Sequence, residues 1–215
     1  MQEASRTRRG SHGELSQLWT FSRGHRLAAA ALLVSGLGAA LPTSRASAES
    51  IANQAVETAP SRVFEIFLTR LMAAESGGRI NAKNPRSSAL GPFQFIKSTF
   101  LDVARRHFLA EIAGLTEEKI LELRTDPGLS RRVAAVFCRE SVNYLKEQGL
   151  APTFSHLRLA FFLGPADAAR IMLAQQRTPV TLLLSPAVIK ANPFMRGMRV
   201  NDLLAKSERD VSTRG

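Results

Sequence analysis

Hydrophobic positions recur at helical spacing along most of the chain. In "SRVFEIFLTRLMAAE", Phe64, Leu68, Leu71, Met72 and Glu75 fall on one face at 100° per residue, and Gly77-Gly78 stop the pattern. Ser98 is expected to cap "TFLDVARRHF", and Thr116 to cap "EEKILEL". Asp126-Pro127 is a cap followed by a first-turn proline; it opens "PGLSRRVAAVFCRESVNYLKEQ", which Gly149 closes. "FSHLRLAFFL" ends at Gly164, and Pro165 starts "PADAARIMLAQQ". Thr178-Pro179 and Ser185-Pro186 mark two further starts, and "VNDLLAKS" is the last helical segment. No stretch sustains a period of two, and no internal repeat is visible. The pattern predicts one all-α domain of about seven or eight helices over residues 61–206, with 207–215 as a flexible tail.

The first 48 residues have another character. Arg6, Arg8, Arg9, Arg23 and Arg26 precede the apolar run "LAAAALLVSGLGAAL", and Ala46-Ser47-Ala48 has the small-x-small form of a signal-peptidase site. Residues 1–48 therefore read as a signal peptide cleaved near Ala48, and 49–60 as a linker. A retained anchor is the alternative, but 15 apolar residues interrupted by Ser and Gly are short for a spanning helix. The expected location is periplasmic.

Composition then narrows the partners. The whole chain carries a formal charge of +11; the leader holds six Arg and two Glu, which leaves about +7 for residues 49–215. For an exported basic domain, an acidic cell-wall polymer is a better partner than nucleic acid. Cys138 stands alone, so no disulfide within the chain can form, and its apolar surroundings suit a buried small residue. His107 and His156 have no partner at helical spacing, so a metal site is not expected, and no cofactor is expected either.

Glu75 is the first chemical candidate. It shares the apolar stripe with Leu71 and Met72, where its carboxylate would lose hydration. The negative end of the helix dipole acts in the same direction, favouring a neutral acid able to protonate a glycosidic oxygen. Ser76-Gly77-Gly78 leave turning freedom and room beside it. "NPRSSALGPFQF" then supplies turn-forming residues followed by Phe93, Gln94 and Phe95, an amide between two aromatic rings that suits a saccharide groove. The bland readings are a helix-end Glu turned out to solvent and an ordinary loop–helix junction.

"ESGG" at 75–78 followed by "SSALGPFQF" at 87–95 resembles the Glu-Ser-Gly and Gly-Leu-Met-Gln boxes of the soluble lytic transglycosylases, which share the goose-type lysozyme fold. The resemblance covers roughly residues 60–175. It implies a lysozyme-like all-α fold and cleavage of the β-1,4 bond between N-acetylmuramic acid and N-acetylglucosamine in peptidoglycan. Glu75 would be the single catalytic acid/base, Ser76 would orient substrate or acid, Gln94 would bind sugar, and Gly91 would let the loop approach the glycan. The muramyl 6-hydroxyl would attack, leaving a 1,6-anhydro end, with no second protein carboxylate required.

The third family box, Ala-Tyr-Asn-Ala-Gly-Pro, has "AFFLGP" at 160–165 as its counterpart, so Phe161 stands where the family has the tyrosine that bonds the catalytic acid. Tyr144 or His156 would have to approach instead. With Trp19 in the leader the only tryptophan, stacking on sugar would fall to Phe93, Phe95, Tyr144, Phe161 or Phe162. Peptidoglycan glycan strands are the expected partner, with cell-envelope machinery as a further one, and the chain is expected to be a monomer. Two alternatives stand beside the transglycosylase: a muramidase that uses water, and a glycan-binding assembly factor that does not cut.

Overall fold

The computed structural model describes residues 61–85 and 87–212; the expected signal peptide and linker lie outside them. The described residues are all-α. Nine α-helices run in order among them: α1 (Arg62–Ser76), α2 (Lys97–His107), α3 (Leu109–Ile112), α4 (Glu117–Glu122), α5 (Pro127–Glu147), α6 (Phe154–Leu163), α7 (Pro165–Leu173), α8 (Pro186–Ala191) and α9 (Val200–Val211). Three short 3₁₀ turns, Leu123–Thr125, Val180–Leu182 and Pro193–Gly197, join them. No helix among the described residues is long and apolar enough to cross a membrane.

Capping chemistry explains most starts. The side chains of Ser61, Thr116, Asp126, Thr153 and Ser185 each accept a backbone N–H from the first turn that follows. Pro127, Pro165 and Pro186 occupy first-turn positions, where their missing N–H has no partner to lose. The Ser98 expectation fails by two residues. α2 begins at Lys97 after an unassisted Ile96, and Ser98 lies inside the helix.

One hydrophobic cluster joins α1 to α9. α6 is the most enclosed helix, packed by α9, α7 and α5, while α1 rests on α9 and α5. Its buried positions are Leu157, Leu159, Ala160, Leu163 and, against expectation for a charged residue, Arg158.

The C-terminal tail requires correction. α9 continues through Glu208, Arg209 and Asp210 to Val211, burying Leu203, Ser207 and Val211. Its amphipathic pattern supplies the reason: Val200, Leu203, Ser207 and Val211 recur at helical spacing and close the core over α6.

Phe93 and Phe95 are also corrected as stacking residues. They are 1% and 3% exposed, which leaves no face for a sugar. Phe161 belongs to the same aromatic cluster, its ring 5.3 Å from Phe95 and 5.6 Å from Phe137 in edge-to-face contacts. Tyr144 is half-buried and packs against this core.

Candidate active site

Glu75 lies in the last turn of α1. Gly77 ends that helix in the left-handed conformation (φ 64°), its N–H bonded to the carbonyl of Ala73 at 2.9 Å. The Glu75 side chain is 15% exposed, and its Oε1 accepts a hydrogen bond from Nη1 of Arg158 at 2.7 Å. Arg158, 8% exposed, is shared: its Nε and Nη2 stand 3.2 Å from Oδ2 of Asp210 on α9. Lys206, one turn earlier on α9, holds both oxygens of Asp210 at 3.0 and 2.8 Å. A chain of alternating charge, Glu75–Arg158–Asp210–Lys206, thus ties α1 to α6 and α9.

Two opposed effects set the protonation of Glu75. Loss of hydration on burial pushes its carboxyl above the ordinary carboxylate value near 4.5, and the Asp210 charge adds to that push. The Arg158 guanidinium, with a smaller contribution from Lys206, acts against it. Burial is the larger effect, so the net direction is upward. Geometry thus sets the two influences against each other, with burial favouring the neutral acid and Arg158 the carboxylate.

Ser76 is buried, and its hydroxyl donates back to the carbonyl of Met72 at 3.3 Å. That bond turns the hydroxyl to its own helix, so the expected orienting of substrate by this group is corrected. Neither Tyr144 nor His156, the residues expected to approach the acid, is its hydrogen-bond partner: the hydrogen bond to Glu75 among the described residues comes from Arg158, and the His156 ring bonds the carbonyl of Ala151 at 2.5 Å. Phe162 does reach the site. Its ring lies 5.7 Å from the Arg158 guanidinium, one helical turn along α6.

The loop after α1 is built tightly. Gln94 has a positive φ of 50°, and its amide nitrogen donates to the carbonyls of Ala82 and Gly91 at 2.8 and 2.9 Å. Two acceptors fix the amide orientation and leave its oxygen as the group with capacity for a ligand. Gly91 has φ 86°, and a Cβ there would stand 1.9 Å from the carbonyl oxygen of Arg124. The glycine admits close approach of the protein's own backbone, not of a glycan, which corrects the reason expected for it. Arg124 is buried and stitches the loop from the other side, donating to the carbonyls of Ser88 at 2.5 Å, Phe95 at 3.1 Å and Leu121 at 2.9 Å. A shallow depression of about 620 Å³ is lined by Gly78–Lys83; it begins three residues beyond Glu75, and the acid does not line it.

Sequence reading thus missed Arg158, Asp210 and Lys206. The available signals were a single arginine inside the apolar run "HLRLAFFL" and the i,i+4 pair of Lys206 and Asp210. No protein-family model matches the chain, and no curated protein matches it.

Proposed function

We propose that the chain is an exported lytic transglycosylase with a lysozyme-like fold, which cuts the β-1,4 bond between N-acetylmuramic acid and N-acetylglucosamine in peptidoglycan. The burial of Glu75 beside an open Gly-Gly turn carries this reading. In its neutral form Glu75 gives its proton to the bridging oxygen as the bond from C1 of the muramyl sugar breaks. The carboxylate that results is steadied by Arg158 2.7 Å away and takes the proton of the muramyl 6-hydroxyl as that oxygen closes on C1. The proton returns to Glu75 and no water is consumed. Burial favours the acid, the guanidinium favours the base, and one residue can serve in both steps.

Mass spectrometry of muropeptides released from purified sacculi tests the proposal. Wild-type protein should release anhydro products, lighter than hydrolysed ones by one water, and Glu75→Gln should release none. Products carrying the extra water would assign a hydrolytic muramidase instead. Equal digestion by Glu75→Gln would remove Glu75 from the reaction.

A second reading draws on the ion pair itself. Arg158 already bonds the Glu75 carboxylate, as it would if the pair served only to dock α1 against α6. The chain would then bind glycan without cutting it. Wild-type protein that retains sacculi but releases no muropeptide would select this reading.

A further inference from the structure

The charged chain at Glu75 closes into a ring through two aromatic side chains. Arg158 stands against Phe162 at 5.7 Å, and Phe162 lies 6.1 Å from Phe194 with the two rings tilted by 32°. Lys206 returns the circuit, its Nζ 5.8 Å from the Phe194 ring centre and 2.8 Å from Asp210. Phe194 sits in the 3₁₀ turn Pro193–Gly197, which is pinned from below by the fully buried Met195. Phe194 as a residue is nevertheless 50% exposed. Scattered exposed aliphatic residues are ordinary on a protein surface. Phe194 differs from them in two respects. It is the aromatic one among the exposed large hydrophobic side chains of the described residues, and Phe162 and Arg158 link it to Glu75.

We infer that Phe194 is a stacking platform for a pyranose ring of the glycan bound at Glu75, with Phe162 and Lys206 holding it in place. This rests on the reading of Glu75 as a glycan site. The chemistry is that of a flat apolar ring, carried on a short turn and flanked by Phe162 and Lys206, offered to the C–H face of a sugar. It takes over the role for which Phe93 and Phe95 are too deeply buried.

The test uses the full chain carrying Glu75→Gln, so that ligand is bound and not consumed. The probe is a purified tetrasaccharide of alternating N-acetylglucosamine and N-acetylmuramic acid, freed of peptide and titrated by calorimetry. Adding Phe194→Ala should weaken binding about fivefold, the change expected when the exposed half of one phenylalanine ring is no longer covered. Phe194→Tyr should restore the affinity, which a general loss of folding would not allow. Equal binding by the Phe194→Ala and parent proteins overturns the platform while leaving the Glu75 reading intact. A parent that binds no tetrasaccharide overturns both.

Discussion

Replacing Arg158 by methionine removes a guanidinium and keeps a flexible apolar stem in its place. The variant loses the 2.7 Å bond to Glu75 and the 3.2 Å contacts to Asp210, in a position where water reaches little of either side chain. Breaking a buried pair from one side costs about 3–5 kcal/mol, because the remaining charge is left without a partner. Against a domain stability of about 5–15 kcal/mol, that is a large share. For a chain of this size it corresponds to a fall in Tm of roughly 6–20 °C. The pH dependence separates charge from packing. The Glu75 carboxyl is raised in the folded protein, so its favourable contribution is complete below the unfolded value and fades as pH rises through the folded one. Removing Arg158 takes away the main influence that lowers it, which moves that fading to higher pH and deepens it. The cost should therefore grow with pH, and urea unfolding at about pH 8 should show a larger loss than at about pH 4. At about pH 4, where Glu75 is neutral in both proteins, the cost should shrink to about 1–2 kcal/mol for the lost bonds to Asp210. Asp210 keeps Lys206 as a partner, which limits that remainder. In the muropeptide assay, the upper limb of the pH–rate profile should shift upward. An equal loss of stability at both pH values would refute the claim that burial and Arg158 oppose each other at Glu75.

Two further outcomes are expected. Gly91→Ala forces a Cβ to within 1.9 Å of the Arg124 carbonyl, so it should destabilise far more than Gly77→Ala, where φ is also positive but nothing lies within 4 Å; denaturant midpoints compare them, and the Gly77 change should cost about 1–2 kcal/mol. Cys138 is buried and burial pushes its thiol strongly up, so a thiol reagent should label it only in unfolded protein; rapid labelling of the native state would contradict its place in the core.

Helix ends were legible in the sequence wherever the signal was local. Asp126, Thr116 and Ser185 each act on an N–H three residues away, and the oxygen and its target are adjacent whatever the rest of the chain does. Ser98 shows the limit: packing of Phe100, Leu101 and Ala104 decides where α2 starts, and the hydroxyl loses. The burial of Glu75 was legible too, since its stripe with Leu71 and Met72 repeats at helical spacing. Its partners were not. Arg158 meets Glu75, and Asp210 meets Arg158, only because α6 and α9 fold back on α1, and no spacing rule relates residues so far apart in sequence. The Phe-Gln-Phe triplet was misjudged for a related reason. An alternating run puts its two rings on the same side, and which side meets the core depends on Phe100, Phe137 and Phe161 arriving there.

The charge chain gives the C-terminal helix a part in setting the protonation of Glu75 and so in the chemistry proposed for it. Asp210 belongs to the last turn of α9, and its negative charge both anchors Arg158 and raises the carboxyl of Glu75. α9 can hold Asp210 there because Leu203, Ser207 and Val211 are buried on the face that meets α6 and α1, and because Arg70 of α1 donates to the carbonyl of Val211 at 3.2 Å. Docking of this helix is therefore coupled to the protonation of the acid. With α9 seated, Arg158 divides its hydrogen bonds between two carboxylates; with α9 displaced, Glu75 would have the guanidinium to itself, the hydration lost on burial would return, and both changes favour the charged form. The proposed acid step requires the seated arrangement, so residues 207–211, expected from sequence to belong to a flexible tail, are ones on which the proposed catalysis depends.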